Sequence, residues 1–416
     1  MREIPFDTAV IGGGAAGMAA ALEVRARGHR VCIVERDDEL GGILLQCIHN
    51  GFGLHEFRED LTGPEYAGRA IREVAESEIT IFTRTTVSEI ASHGGGRELT
   101  CYSAENGVVK IASRAIVLAM GCRERNRGNL RIPGSRPAGV FTAGLAQRLI
   151  NMEGYVPGRD FVIIGSGDIG LIMARRLQWL GCRVHAVIEI MPYPSGLTRN
   201  IVQCLNDFSI PLYLNHVVSR IHGSGRVTGV DVTPVPGGVP NPAGEFHIPC
   251  DTILLSVGLI PENELSKAAG VEITTETNGP VVDATMMTSA EGIFATGNVL
   301  HVHDLVDNVT EESRLTGGFV ADYLAGLRPA RQIRVRPGSN VRSITPARVD
   351  PLRANRLYLR PLIVKNNAAL VLSAGGRQIR RIMKSHVQPS EMISVNLRAV
   401  DLADLAPDTV LELSIT

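Results

Sequence analysis

The chain has 416 residues, a formal net charge of −1 and a hydrophobic fraction of 44%, which indicates a soluble globular protein of two or three domains. Its seven scattered cysteines include no C-x-x-C pair, which argues against a disulfide scaffold or zinc ribbon and favours thiols in a reducing cytoplasm. We expect no membrane span, because no uncharged run approaches the roughly 20 residues it needs, and no signal peptide, because Glu3 and Asp7 precede the apolar run.

The first ordered pattern begins near the N-terminus and ends at Glu35. An apolar run is followed by the glycine turn Gly12-x-Gly14-x-x-Gly17, a helix of small residues predicted over residues 18–27, and a second apolar run. The glycines suit a tight turn, a close approach of the backbone to a pyrophosphate, and close packing of helix on sheet. Glu35 follows Gly17 by eighteen residues, where a carboxylate can bond ribose hydroxyls. This stretch predicts a dinucleotide-binding unit.

The next segment mixes glycines with reactive side chains. Gly42 lets a loop pass close to the contents of the pocket, and Cys47 and His49 follow soon after it. The segment is interpreted equally well as pocket lining or as a surface loop with a buried cysteine. Cys47 and His49 are therefore the candidates for a catalytic role on the substrate side.

The stretch from residue 61 to residue 145 predicts further elements and a linker. They are a helix over 61–77, strands over 79–87 and 98–103, a hairpin turn at Asn106-Gly107, a buried parallel strand over 115–121 that ends in Ala119-x-Gly121, and a linker over 132–139.

A second copy of the opening pattern lies about 150 residues later. A strand leads into Gly165-x-Gly167-x-x-Gly170 and a helix, and the following strand ends at Glu189, nineteen residues after Gly170. A carboxylate there bonds a free ribose 2′-hydroxyl and repels a 2′-phosphate, and the next three residues carry no cation. The second unit is therefore predicted to prefer NAD(H) to NADP(H).

A third motif is a short strand that ends at Gly297 and Asn298, followed by His301-x-His303 and a helix predicted over residues 310–326. A His-x-His pair can bind a metal, but no third ligand is obvious in the sequence. We therefore favour pocket-lining or structural histidines and predict no metal site; the family resemblance described below implies that they border a flavin ring.

The C-terminal region differs from the rest of the chain in its charge and in its pattern of apolar residues. Residues 331–416 contain 14 basic and 6 acidic residues, whereas the preceding 330 residues contain 28 basic and 37 acidic ones. Alternating apolar runs predict a small β-rich domain. Its positive charge suits docking on the acidic body, contact with a partner, or nucleic acid, and the third is disfavoured because interleaved aromatic residues are missing.

Taken together, the motifs resemble those of the flavoproteins with two dinucleotide-binding domains that are related in fold to glutathione reductase. The resemblance covers roughly residues 5–327 and implies that the first glycine turn binds FAD and the second binds NAD(H). The implied FAD-binding residues are Gly12, Gly14, Ala15, Ala16, Gly17, Glu35, Arg36, Gly42, Val87, Ala119, Gly121, Gly297 and Asn298, and the implied NAD-binding residues are Gly165, Gly167, Ile169, Gly170, Glu189 and Gly258.

This sequence departs from the residue pattern of that family at two points. The cysteine pair and the C-terminal His-Pro of its disulfide reductases are not present, since Cys47 alone follows Gly42. A dithiol mechanism is therefore not expected. Asn298 stands where the family usually has Asp, and it can still bond a ribityl hydroxyl.

Residues 40–55, 119–125 and 137–144 are similar to those of a narrower group: the FAD/NAD subunits associated with anaerobic-type glycerol-3-phosphate dehydrogenases, and the alpha subunits of opine dehydrogenase, hydrogen cyanide synthase and sarcosine oxidase. This resemblance implies a partner flavoprotein dehydrogenase, and a small cysteine-rich protein as a further partner. Homo-oligomers are also compatible with it.

The predicted architecture is α/β, with two Rossmann-like dinucleotide-binding domains, the second inserted in the first, and the small β-rich domain at the C-terminus. The predicted boundaries are 1–145 and 256–330 for the FAD-binding domain, 146–255 for the NAD-binding domain and 331–416 for the last. The leading functional hypothesis is hydride transfer between NAD(H) and FAD, with electrons exchanged with a partner. The alternatives are direct oxidation of an amine, opine or hydroxy acid, and a scaffold subunit without flavin.

Overall fold

The computed structural model describes residues 3–403, 405–406 and 408–416. For residue 3 it describes the backbone alone. The chain divides into two units. One combines the residues up to Cys122 with those from Pro261 onward, and the other comprises Arg123–Ile260.

The first part of the first unit alternates strands and helices. Its elements are β1 Glu3–Ile11, α1 Ala15–Ala26, β2 Val31–Val34, β3 Asn50–Phe52, β4 Leu61–Thr62, α2 Gly63–Ala75, β5 Thr80–Phe82, β6 Thr85–His93, β7 Gly96–Ser103 and β8 Gly107–Leu118.

The second unit follows. Its elements, with those that flank its borders, are β9 Cys122–Glu124, α3 Arg127–Leu130, β10 Val140–Thr142, α4 Ala143–Asn151, β11 Asp160–Ile164, α5 Asp168–Trp179, β12 Arg183–Glu189, α6 Thr198–Cys204, β13 Leu212–Leu214, β14 His216–Gly223, β15 Val227–Pro234, β16 Phe246–Ile248, β17 Thr252–Leu255 and β18 Leu259–Pro261.

The chain then returns to the first unit. The remaining elements are α7 Glu264–Ala268, β19 Ile293–Ala295, α8 Val306–Leu324, β20 Ile333–Pro337, β21 Val341–Thr345, β22 Arg348–Val349, β23 Asn355–Pro361, β24 Lys365–Ala374, β25 Arg377–Val387, β26 Ile393–Leu397 and β27 Val410–Ile415.

The main sheet of the first unit has the strand order β5-β2-β1-β8-β7-β6, and β19 pairs with β8. The strands β5, β2, β1, β8 and β19 run parallel, whereas β7 is antiparallel to both of its neighbours. The parallel strands are nearly continuous apolar runs because both faces of the sheet are covered. On one face α8 crosses α1 so closely that a Cβ at Gly317 would lie 2.6 Å from the carbonyl oxygen of Ala20.

The second unit repeats the design with the parallel order β10-β17-β11-β12-β13 and adds the antiparallel sheet β14-β15-β16. The predicted linker over residues 132–139 lies within this unit, because Gly134 and Ala138 form isolated bridges to Ile221 and Arg226. These bridges help to explain why the unit begins at Arg123 rather than at the predicted residue 146, and it ends at Ile260 rather than at 255.

Residues 331–416 form two β-sheets, β22-β20-β27-β24-β25 and β21-β23-β26, around a core of their own. This confirms the predicted β-rich C-terminal region. It groups with the first unit rather than standing apart, and paired charges explain this: Arg353, Arg356 and Arg360 lie 3.0, 2.7 and 2.9 Å from carboxylates of Asp322, Glu311 and Asp304. Docking on the acidic body is thus observed for part of the basic surface.

Several predicted element boundaries were wrong. Among them, α1 begins at Ala15 rather than at residue 18, and β8 begins at Gly107 rather than at residue 115. The strand predicted over residues 79–87 is two strands, because Arg84 between them adopts a left-handed backbone with φ 47°. The helix predicted from residue 61 begins at Gly63, where Thr62 and Glu65 form a capping box. The last helix begins at Val306, one turn before the predicted residue 310.

Candidate functional site

The turn between β1 and α1 leaves no room for side chains at two of its glycines. Gly12 has φ 105°, and a Cβ there would overlap the carbonyl oxygen of Ala119. A Cβ at Gly17 would overlap the carbonyl oxygen of Gly12. The first glycine therefore allows the turn to pass under the end of β8, and the third allows α1 to sit against that turn.

The N-terminus of α1 is open to a ligand. Its N-cap is Gly14, and a Cβ at this position would meet nothing within 4 Å in the described part of the chain. Ala15 and Ala16 supply the next backbone N–H groups. The first turn thus presents N–H groups and the positive end of the helix dipole, which fits a diphosphate.

Glu35 closes the same site from the end of β2. It is 7% exposed, and its two carboxylate oxygens accept hydrogen bonds from the backbone of Gly13 at 2.6 Å and of Asp37 at 2.8 Å. These bonds fix the carboxylate beside the glycine turn, where it is placed to meet a ribose. The adjacent Arg36 is exposed, and the backbone N–H of Thr85 bonds the carbonyl of Glu35 at 2.9 Å, which brings the start of β6, and with it Val87, near this end of the site.

The opposite wall is formed by segments far apart in sequence. A Cβ at Gly42 would lie 3.2 Å from the Cα of Gly14, and Gly121 after β8 has open space at its Cβ position as far as the structure describes it. Gly297, with φ 72°, follows β19 and donates its N–H to Glu312 at 2.7 Å. The oxygen of Asn298 accepts the backbone N–H of His303 at 3.0 Å. The structure therefore brings the predicted FAD-binding segments to one end of the sheet.

The second glycine turn, between β11 and α5, follows the same rules. A Cβ at Gly165 would overlap the carbonyl oxygen of Ser256, and Gly167 is the N-cap of α5. The hydroxyl of Ser256 accepts the N–H of Gly170 at 3.0 Å and donates to the carbonyl of Gly167 at 3.2 Å. The sequence analysis missed Ser256, whose only sequence signal is its place directly after β17.

Two further residues, Ile169 and Gly258, were predicted to bind NAD. Ile169 lies in the first turn of α5, and Gly258, with φ 95°, follows β17 with open space at its Cβ position among the described residues.

Glu189 is more enclosed than the sequence suggests. It is 3% exposed, and its carboxylate accepts hydrogen bonds from the hydroxyls of Ser166 and Ser195 at 2.5 and 2.6 Å and from the backbone of Ser166 and Met191 at 3.0 and 2.9 Å. A carboxylate has about four acceptor positions. Three of these bonds fall on Oε2, whereas Oε1 accepts only the N–H of Met191, so Oε1 keeps an acceptor position that a ribose hydroxyl can use.

The structure gives little support for Cys47 as a nucleophile. Burial raises the pKa of its thiol to about 12, and the thiol donates a hydrogen bond to the carbonyl of Ile43 at 3.3 Å. Because the thiolate is the reactive form, the raised pKa argues against a reactive thiol at neutral pH. The ring of His49 packs on Phe52 with centroids 5.1 Å apart. Catalytic roles for Cys47 and His49 stay predictions.

His301 and His303 are enclosed by protein, with side chains 8% and 1% exposed. Both face Glu312, whose carboxylate lies 2.6 Å from Nε2 of His301 and 3.3 Å from Nε2 of His303. The sequence showed no obvious third ligand for the pair, and the structure supplies one in Glu312. Glu312 was missed because α8 brings it back to the pair from nine residues further along the chain. Contact of the two rings with the flavin stays a prediction.

The seven cysteines all lie in the described ranges and form no disulfide there. Within the residues that the structure describes, no helix is both long and apolar enough to cross a membrane.

Comparison with known proteins gives a family match. The model of the family described as pyridine nucleotide-disulphide oxidoreductase matches residues 6–313. The chain is 28% identical over 312 residues to one subunit of the opine oxidase of Agrobacterium tumefaciens, covering 70% of this chain and 61% of that one. It is 27% identical to hydrogen cyanide synthase subunit HcnB of Pseudomonas protegens, covering 64% and 59%. The chain thus spans about three fifths of the length of these relatives.

A third relative and two solved structures agree with the fold. The ferredoxin–NAD(+) reductase component of the biphenyl dioxygenase system of Paraburkholderia xenovorans is 27% identical, with 71% of this chain and 67% of that one covered. The thioredoxin reductase of T. acidophilum superposes with a TM-score of 0.63 at 22% identity, covering 77% of this chain and 98% of the other. An NAD-dependent persulfide reductase from A. fulgidus gives 0.58 at 21% identity, covering 94% and 71%. The predicted two-domain flavoprotein fold is thereby confirmed.

Proposed function

Because this chain belongs to the pyridine nucleotide-disulphide oxidoreductase family, whose members bind FAD and NAD(P)H, we propose that it transfers hydride between NAD(H) and bound FAD and exchanges the electrons with a partner protein. The observation that carries the proposal is the pair of glycine turns, each of which leads into a helix with glycine at its N-cap and faces a buried glutamate.

The residues of the first unit are suited to holding FAD. The N-terminus of α1 binds the diphosphate, Glu35 orients the ribose, and the amide of Asn298 bonds the ribityl chain without adding charge. When bound, FAD supplies the centre that accepts two electrons as hydride. The helix α8 begins at Val306, eight residues after Asn298, and its N-terminal dipole favours the negative charge that the reduced ring carries.

We assign no acid or base of the protein to the hydride step, because hydride passes between the two cofactors without one. A dithiol step is not part of the proposal, because the sequence motif offers Cys47 no cysteine partner and because burial raises the pKa of its thiol. The role of the protein in this step is therefore to bind and orient the cofactors.

A preference for NAD(H) over NADP(H) forms part of the proposal. Glu189 is the charged group that a 2′-phosphate would approach, and burial leaves it poorly screened by water. Repulsion between the two anions then disfavours NADPH.

The partner is proposed from the relatives. The opine oxidase protein and HcnB are both named as subunits, and the biphenyl dioxygenase component is named as a ferredoxin reductase. These names support a role in electron transfer within a larger complex. We propose a flavoprotein dehydrogenase as the partner, with glycerol-3-phosphate oxidation as the specific case and a small cysteine-rich protein as an electron carrier. A cytoplasmic location, predicted from seven scattered cysteines that include no C-x-x-C pair, is part of the same proposal.

The name of the opine oxidase subunits favours a second candidate, in which the flavin oxidises an amine, opine or hydroxy acid directly. In that case nicotinamide would not reduce the flavin. The two candidates therefore differ in the electron donor that the purified protein accepts.

An anaerobic titration of the purified, FAD-containing chain tests the proposal. Stoichiometric loss of flavin absorbance with NADH, and much slower loss with NADPH, is the expected result. Bleaching by an opine or hydroxy acid, with no response to either nicotinamide, would replace the proposal by the second candidate. Protein that binds no flavin at all would contradict both.

A further inference from the structure

Two imidazoles and a carboxylate converge beneath the turn that carries Gly297. His301 and His303 follow that turn, and Glu312 reaches them from the second turn of α8. One oxygen of Glu312 lies 2.6 Å from Nε2 of His301 and 3.3 Å from Nε2 of His303. The three side chains are 8, 1 and 1% exposed, and their ligand-type atoms all lie within 4.8 Å of one another.

The hydrogen bonds of this cluster are incomplete. Neither ring nitrogen of His303 makes a hydrogen bond to any described residue, since its approach to Glu312 falls outside hydrogen-bond geometry. The hydroxyl of Tyr358, whose ring packs on both imidazoles at centroid distances of 5.4 and 5.6 Å, also makes none within the described ranges. Buried polar groups without a partner are uncommon, and an ion is one of the accepted reasons for them.

The guanidinium groups that the C-terminal region brings to this part of the chain are paired elsewhere. Arg360 pairs with Asp304 at 2.9 Å, and Arg356 pairs with Glu311 at 2.7 Å. The carboxylate of Glu312 faces the two imidazoles, and these three side chains are the groups that a cation would meet.

We propose that His301, His303 and Glu312 form a three-ligand binding site for a divalent cation of the zinc type. Two histidines and one glutamate make up a known zinc ligand set, with a fourth position open. The imidazoles favour such a cation over Mg²⁺ or Ca²⁺, which prefer oxygen ligands. The ring of Tyr358 packs beside the set.

The geometry needs only a small adjustment. Ligand atoms about 2.05 Å from a tetrahedral zinc lie about 3.3 Å apart. The separation of His303 and Glu312 already has this value, and that of His301 and Glu312, at 2.6 Å, must lengthen by about 0.7 Å once the proton between them is replaced by the metal. The other oxygen of Glu312 stays bonded to the N–H of Gly297 at 2.7 Å, so the ion would tie α8 to that turn.

The chain contains a second set of two histidines and a carboxylate, which serves as the control. His222, Asp231 and His247 lie on β14, β15 and β16, and each imidazole is hydrogen-bonded to Asp231, at 2.6 and 2.8 Å. This set is also partly exposed to water. We therefore expect this second set to retain no metal ion after dialysis.

The test measures metal in the full-length, FAD-containing chain made without a polyhistidine tag. After incubation with Zn²⁺ and dialysis, elemental analysis by mass spectrometry should find about one zinc per chain in the wild type and in the His222→Asn/His247→Asn control. His303→Asn should lose the ion while keeping its FAD. Wild-type protein without zinc, or zinc that persists in His303→Asn and disappears from the control, would overturn the proposal.

A second measurement applies even if His303→Asn does not fold. Co²⁺ replaces Zn²⁺ in wild-type protein, and a tetrahedral N/O site gives intense ligand-field absorption at wavelengths beyond those of the flavin. Failure to see this absorption after Co²⁺ loading would contradict the site. The metal measurements do not involve nicotinamide, so their outcome is separate from that of the NADH titration.

Discussion

At the scale of single residues, we expect Glu189 to determine how the second glycine turn distinguishes NADH from NADPH. Glu189→Gln keeps the size of the side chain and removes the charge that opposes a 2′-phosphate. We expect affinity for NADH to fall by about 1.5 kcal/mol, or roughly tenfold, because a charged acceptor is lost, and affinity for NADPH to hold or rise. Flavin-reduction titrations with both nucleotides measure the ratio.

The matched control for this change is Glu35→Gln, which alters the corresponding residue of the first turn. It should lower the FAD content of the purified protein and leave the preference between NADH and NADPH unchanged. If Glu189→Gln keeps the wild-type preference between NADH and NADPH, this carboxylate does not distinguish the ribose 2′-hydroxyl from a 2′-phosphate.

Cys47 provides a second prediction at this scale. Because burial raises the pKa of its thiol to about 12, only a small fraction is thiolate at pH 7, and the fraction grows as the pH rises. Alkylation by iodoacetamide, followed by peptide mass spectrometry, should be slow at pH 7 and should accelerate continuously toward alkaline pH.

The same argument predicts that Cys47→Ser reduces its flavin with NADH at a rate within about twofold of the wild type. Stopped-flow absorbance measures this rate. A rate lowered by orders of magnitude in a variant that retains FAD would restore Cys47 as a catalytic residue.

At the scale of elements, the N-terminus of α1 contains a position, Gly14, at which we expect a substitution to disturb FAD binding and to leave the fold intact. A Cβ at Gly14 points into open space in the described chain and its backbone, with φ −75° and ψ −173°, suits any residue. We therefore expect Gly14→Ala to fold, at a cost below about 1 kcal/mol, and to lose FAD because the methyl group occupies the place of the diphosphate.

Two measurements check Gly14→Ala: the flavin content per chain, and the thermal midpoint of the flavin-free protein. Gly225→Ala is the control, since its Cβ also meets no described atom within 4 Å and it belongs to the loop between β14 and β15 rather than to either glycine turn. Full FAD content in Gly14→Ala would mean that the diphosphate does not bind at this helix end.

The elements also show what the sequence can predict. Both glycine turns were predictable because steric demands at Gly12, Gly17 and Gly165 leave few other residues possible. The break at Arg84 was not, since a left-handed arginine has no local signal. The hydroxyl of Ser256 and the carboxylate of Glu312 were missed because they reach their sites through tertiary packing, which periodicity does not report.

At the scale of the whole molecule, the uneven charge of the sequence has a partial explanation. Of the three possibilities for the basic C-terminal region, the structure shows docking on the acidic surface of α8 and of the loop before it. The guanidinium of Arg360 is central to this contact. It bonds the carboxylate of Asp304 at 2.9 and 3.0 Å and the carbonyl of Val302 at 2.8 Å, and the backbone of Met392 donates to Asp304 at 2.6 Å.

This contact holds the loop that joins the Gly297–Asn298 turn to α8, so its loss should affect both stability and flavin retention. The side chains of Arg360 and Asp304 are 17% and 18% exposed. Arg360→Ala should therefore lower the free energy of unfolding by about 2 kcal/mol, because a shielded carboxylate loses its charged donor. It should also release FAD more readily during dialysis.

Arg336→Ala provides the comparison within the same β-rich region. Arg336 pairs with Glu412 at 2.8 Å, but the two side chains are 64% and 34% exposed, and surface pairs of this kind contribute at most about 1 kcal/mol. Thermal denaturation and FAD retention should thus stay close to the wild type in Arg336→Ala and fall in Arg360→Ala. Equal behaviour of the two variants would mean that docking does not depend on the Arg360–Asp304 pair. A double variant, Arg360→Ala/Asp304→Asn, separates the loss of the pair from the cost of the unpaired carboxylate that the single variant leaves behind.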